Sequence, residues 1–226
     1  MNSWLLWILL NSLTGNPLIA VVLLIAFLYG GESWWRGRLW LPWAFFQQWM
    51  RIRELRATVQ QNEYDLKARE DLGWLLVERR AYAEARPHLE LVVAKSPTRA
   101  QAAWNLGRAC LGLGDFDAGL AAIQSALQIR PDTGHGQPHF DLADFEYRRG
   151  RHKEAIAHYE RGLAIHASSS EAYYKVGCCR AALGDKAGAR AAWKEAVQIA
   201  DVAPSFKRGR DRPWRWRAWW KLTTGG

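Results

Sequence analysis

The chain has 226 residues, 49% of them hydrophobic, which supplies a packed core and excludes wholesale disorder. Three cysteines, two of them adjacent at Cys178 and Cys179, exclude a disulfide framework and fit a reducing compartment. The net charge of +9 sits at the two ends: residues 1–56 carry five Lys/Arg against two Asp/Glu, residues 204–226 seven against one, and the body nineteen of each. The 14 tryptophans divide the same way, leaving only Trp74, Trp104 and Trp193 for residues 57–203. A neutral body with basic, Trp-rich ends suggests a folded domain held at an anionic surface.

No charge occurs from Trp4 to Tyr29, and Leu18–Tyr29 is a continuous apolar run. Its 12 residues would make about 18 Å of helix, short of the roughly 30 Å hydrocarbon thickness. Length becomes sufficient by extending back to Leu10. It also does so if Asn16 caps a helix that starts at Pro17 and runs through Gly30 and Gly31 to Trp34 and Trp35. Residues 1–35 are therefore read as a membrane anchor with one span, a re-entrant or interfacial hairpin being the alternative. A cleaved signal peptide would need a basic start, and no Lys or Arg precedes Arg36. Arg36, Arg38, Arg51, Arg53 and Arg56 follow the span, which places the remainder on the cytoplasmic side of an inner membrane.

Residues 36–63 read as a juxtamembrane amphipathic helix. Pro42 suits its start, and Trp43, Phe46, Trp49/Met50 and Arg53 recur at helical spacing. Such a stripe either lies along the interface, with Trp34, Trp35, Arg36, Arg38 and Trp43 at the membrane surface, or packs on the domain that follows.

Four segments then align: Leu66–Pro97, Ala100–Pro131, Gly136–Ala167 and Ser170–Asp201. The slot of Leu72-Gly73 recurs as Leu106-Gly107, Leu142-Ala143 and Val176-Gly177. A turn slot holds Arg80, Gly114, Gly150 and Gly184. Small or slender residues recur at Ala85, Gly119, Ala155 and Ala189, and again at Val92, Ala126, Gly162 and Ala196. Pro97 and Pro131 close the first two units. This pattern over Leu66–Asp201 resembles the tetratricopeptide repeat, a 34-residue helix–turn–helix unit, and AWNLGRACLGLGDFDAGLAAIQSALQIRP is its fullest copy. The resemblance implies an all-α fold: N-terminal transmembrane or interfacial helices, an α-solenoid of four units over residues 64–202, and a basic C-terminal helix or tail over 203–226. Gly134 and His135 are inserted between the second and third units. Pro138 falls in a first turn, where it is tolerated, and Pro87 is expected at or near another, bending the helix without breaking it.

No phosphate loop, nucleophile elbow or HExxH motif occurs, so neither an enzyme nor a cofactor or metal site is expected. The resemblance implies binding of a protein partner on the concave face lined by the first helix of each unit. The slots facing it include Trp74, Trp104, Arg108, Phe140, Tyr147 and Tyr174, an aromatic set suited to a peptide or a partner helix. The Lys/Asn/Arg carboxylate clamp of chaperone-binding relatives is not matched. The C-terminal stretch alternates arginine with tryptophan, and Trp214, Arg215, Trp216, Arg217, Trp219 and Trp220 read as a membrane-surface contact with lipids. Capping of the repeats is compatible with that contact, and nucleic-acid binding is the less favoured reading. The expected function is a membrane-tethered scaffold or adaptor for a protein partner; the alternatives are a lipid- or nucleic-acid-binding module acting through the tail, or an assembly factor for an envelope or cofactor pathway.

Overall fold

The computed structural model describes residues 40–224 and the isolated positions Ser12, Gly15, Leu18 and Val21, with side chains in the first helix from Phe46 onward. Apart from those isolated positions the expected span lies outside the described residues, as do Trp34, Trp35, Arg36, Arg38 and the side chain of Trp43. Among the described residues no helix is long and apolar enough to cross a membrane.

The chain divides into two compact units, residues 1–57 and 58–226. Helix α1 (Trp40–Gln61), within which that division falls, leaves Phe46, Trp49 and Met50 exposed, while Ile52 and Leu55 are buried. Phe46 stacks on Trp49 at a centroid distance of 6.2 Å, and the Arg53 guanidinium lies 5.9 Å from the Trp49 ring.

The second unit is built from helix pairs: α2 (Leu66–Glu78) with α3 (Tyr82–Lys95), α4 (Ala100–Leu113) with α5 (Phe116–Ile129), α6 (Gln137–Arg148) with α7 (His152–Ile165), and α8 (Ser170–Ala182) with α9 (Lys186–Asp201). Helix α10 (Ser205–Thr224) follows, and there is no strand among the described residues. The expected all-α repeat architecture is present.

Local sequence explains where the helices begin. Asp65, Asp115, Ser169 and Asp185 each turn a side-chain oxygen onto the backbone N–H three residues on, satisfying an otherwise unpaired donor of α2, α5, α8 and α9. Between the helices of a pair the chain turns through a left-handed residue, at Gly114, Gly150 and Gly184 and, in the first unit, at Arg80 with φ of 60°. Pro87 lies one turn further into α3 than expected, yet the helix continues to Lys95.

Close packing explains the small residues. A Cβ on Gly107 would stand 2.8 Å from the Gly119 carbonyl oxygen and 2.5 Å from Ile123, so α4 and α5 touch through their backbones. The inserted Gly134-His135 forms a 3₁₀ turn (Thr133–Gly136) with both residues left-handed, and a Cβ on Gly134 would meet the Trp104 ring at 2.7 Å. The insertion therefore seats the third unit against the second without leaving the ring open.

The core runs along the stack as neighbouring clusters. Trp104, Ile123, Ala126 and Leu142 join the second unit to the third; Phe140, Tyr159, Val176 and Cys179 join the third to the fourth. Ala189, Trp193 and Ala196 then close over Ala218 of α10. Nearest-neighbour packing of this kind is what stabilises a solenoid.

Candidate functional site

The first helices of successive pairs, α2, α4, α6 and α8, carry a ladder of polar contacts from unit to unit. Arg99 reaches Glu70 at 2.6 Å and Arg108 reaches Glu78 at 2.7 Å. The Trp104 indole N–H donates to Asp141 at 2.7 Å, and Lys175 donates to both Asp144 oxygens at 2.8 and 2.7 Å while pairing with Glu171. The Tyr159 hydroxyl also donates to Asp144. Burial pushes the Asp141 carboxyl above the usual range, against the pull of the Trp104 N–H and Arg108. Burial and the neighbouring Asp144 likewise push the Tyr159 phenol up, which keeps it a donor.

Two recesses adjoin on this face and share Asp144. One, of about 240 Å³, lies where α4 and α6 meet the starts of α3 and α5 and is lined by Tyr82, Arg108, Phe116, Asp141, Phe145 and Arg148. The other, of about 180 Å³, lies between α6, α8 and α10 and is lined by Gln137, Glu171, Lys175, Arg210 and Trp214. Cationic and anionic groups alternate with aromatic rings across both.

The residues expected to touch a partner fall into two groups. Trp74 is 45% exposed, and Arg108 lies at the surface with its guanidinium 5.3 Å from the Trp104 ring. Trp104 and Phe140, in contrast, are 7% and 8% exposed. Trp104 fills the gap to α6, and Phe140 packs on Tyr159 and Gly162, where a glycine Cβ would meet its ring at 2.5 Å. Tyr147 is half-buried against the same cluster, and Tyr174 packs on Trp214 of α10 at 5.7 Å. Asp141 and Lys175 were missed because they stand one position after the slots that the repeat resemblance marks.

The C-terminal stretch is a helix that occupies the place of a further first helix. Lys207 is buried, donates to the Ser168 carbonyl and faces buried Asp211 at 3.7 Å, and Arg215 pairs with Asp201 at 2.5 Å. Trp214, expected at a membrane surface, lies in the packing between α8 and α10, with Lys175 and Arg217 over its ring. Trp216, Trp219, Trp220 and Arg217 are exposed.

Among the described residues no group of three His, Cys, Asp or Glu could hold a metal ion. Cys110 and Cys179 are buried, and burial pushes the Cys179 thiol up to about 12. His139 and His158 face each other at 6.3 Å with their Nδ1 atoms buried and unpartnered. Burial, aided by Arg161 and in His139 by the second ring, holds both below the usual imidazole range. His166, beside Lys207 and Arg210, is lowered by burial in the same direction. Each ring thus takes a proton less readily in the fold than in the unfolded chain, where it titrates at about pH 6.5. Stability from these groups is complete above that pH and is lost as pH falls. The melting temperature should drop between about pH 7.5 and 5.5, and His139→Asn with His158→Asn should flatten that slope. An unchanged slope would exclude the pair as its source.

Tetratricopeptide repeat family models match residues 98–168 and 140–204. No curated protein matches the chain. Among solved structures, that of MamA is similar at 21% identity and a TM-score of 0.61, covering 66% of this chain and 86% of that one. TTC0263, a thermophilic tetratricopeptide repeat protein of Thermus thermophilus, is 16% identical over 81% of this chain and 94% of its own, with a TM-score of 0.60. YrrB, described as having an unusual peptide-binding site, is 16% identical over 76% and 90%, with a TM-score of 0.57. At these identities the likeness establishes the fold. The family models and the helix pairs agree: over residues 98–204 this chain belongs to the tetratricopeptide repeat family.

Proposed function

We propose that the chain is a scaffold, held at the cytoplasmic side of a cell membrane by its N-terminal segment, that binds a protein partner on the first-helix face of its repeats. The observation that carries this is the pair of adjoining recesses that meet at Asp144, in which exposed arginines stand beside aromatic rings. Such a strip offers side-chain pockets and charge pairing to an extended segment or helix. The YrrB neighbour, with its peptide-binding site, supports a peptide segment as the occupant. The uncharged stretch from Trp4 to Tyr29 and the arginines after it support the tether and its orientation.

Affinity purification from detergent-solubilised membranes, with mass spectrometry of what is retained, tests the reading. The wild-type chain should retain a specific partner, and Trp74→Ala with Arg148→Ala, both exposed, should lose it at an unchanged melting temperature. Equal recovery by the two proteins would remove this face from the interaction.

A further inference from the structure

Helix α10 has two unlike faces. Lys207, Asp211 and Ala218 are buried and Trp214 half-buried, at the spacing of one helical face turned to the repeats. At about 100° per residue, Trp216, Trp219 and Trp220 fall on the opposite side, and they are 59%, 47% and 50% exposed. Trp216 and Trp220 stack on one another, with centroids 5.8 Å and planes 18° apart. Exposed arginines flank this stripe: Arg208 and Arg212 along one edge, where Arg215 is already paired with Asp201, and Arg210 and Arg217 along the other. Phe206, 87% exposed, extends the apolar side at the first turn. The one acidic residue of α10, Asp211, is buried against Lys207, so the outer face carries no negative charge of its own.

We propose that this outer face of α10 lies on an anionic lipid surface. Indoles along the outermost line belong at the depth of the headgroups, and arginines on both flanks reach phosphates on either side. A nucleic acid would need open ring faces for its bases, whereas Trp216 and Trp220 cover one face of each other. The uncharged Trp4–Tyr29 stretch of the same chain suits a lipid partner as well. The repeats are then held at the membrane by a helix that also caps them, a role independent of which protein the first-helix face binds.

The test uses the full chain reconstituted into vesicles of phosphatidylcholine alone, or with about one-third phosphatidylglycerol, each carrying brominated acyl chains that quench nearby indoles. Quenching of the wild-type chain should be greater in the anionic vesicles and should fall toward the neutral level as salt approaches about 0.5 M. Arg208→Gln/Arg212→Gln/Arg217→Gln, which keeps all 14 tryptophans and leaves the recess lining intact, should show the neutral level in both. Trp216→Ser/Trp219→Ser/Trp220→Ser should abolish the difference between the two vesicle types. Wild-type quenching that is equal in both vesicles would overturn the proposal, and needs no variant to read. Retention of a single-stranded oligonucleotide that the arginine variant loses, with quenching unmoved, would overturn it in favour of nucleic acid.

Discussion

Trp193→Ala is expected to cost about 3–5 kcal/mol of unfolding free energy and to release α10 from the repeats. Trp193 is 1% exposed and its indole N–H donates to the Tyr174 carbonyl at 3.2 Å. A Cβ on Gly177 would stand 2.3 Å from its Nε1, so the ring lies directly on the α8 backbone. The same ring shares a cluster with Ala189, Ala196 and Ala218, tying α8 and α9 to α10. Truncation leaves a cavity where α8, α9 and α10 meet, and Ala189, Ala196 and Ala218 around it have no side-chain length with which to refill it. Urea denaturation gives the free energy, and hydrogen exchange over residues 205–224 should rise earlier than over α4 and α5. A loss below about 1 kcal/mol would show that α10 is not fixed in this way.

Trp104→Ala and Phe140→Ala should each destabilise by about 3–5 kcal/mol, and together they should leave little folded protein, since whole domains are stable by only about 5–15 kcal/mol. Both rings fill spaces between successive units, and Trp104 also satisfies the buried carboxylate of Asp141. Trp104→Phe separates these contributions: it keeps most of the ring but removes one donor from Asp141, leaving Gln137 and Arg108 beside the carboxyl, at a cost of about 0.5–1.5 kcal/mol. Circular dichroism and thermal melting are the measurements. Any loss of partner in the double variant reports unfolding. A double variant that melts like the wild type would place both rings at the surface and contradict the structure.

The repeat itself was legible because its constraints are local and periodic. Helices that meet at backbone distance need Gly or Ala where Gly107, Gly119 and Ala155 stand, and a reversing chain needs a left-handed residue where Gly114, Gly150 and Gly184 stand. Even Arg80, the departure in that turn slot, takes the left-handed conformation, because the packed helices on either side dictate the turn. The accessible face was less legible. A slot number says which way a side chain leaves its helix, not whether the next unit reaches it: Trp74 stays exposed, while Trp104 and Phe140, one turn earlier in their units, are long enough to meet the neighbour and are enclosed.

The C-terminal stretch shows a different limit. Its charge dominates the sequence and suggests a surface, and that reading passes over the Lys207, Asp211, Trp214, Ala218 spacing that marks a packed helix face. Burying Lys207 is feasible only because Ser168 and Asp211 are there to meet it, partners that no local pattern announces.

The central claim is that the first-helix face, and not the outer side of the second helices, receives a protein partner. A photo-crosslinking amino acid placed at Trp74 or Arg148 on one side, and at Glu160 or Glu195 in the groove between α7 and α9 on the other, compares the two directly, since all four positions are exposed. Illumination of membranes carrying each variant should yield one discrete adduct from Trp74 and Arg148 and none from Glu160 and Glu195. An adduct formed only from the Glu160 and Glu195 positions would contradict the account.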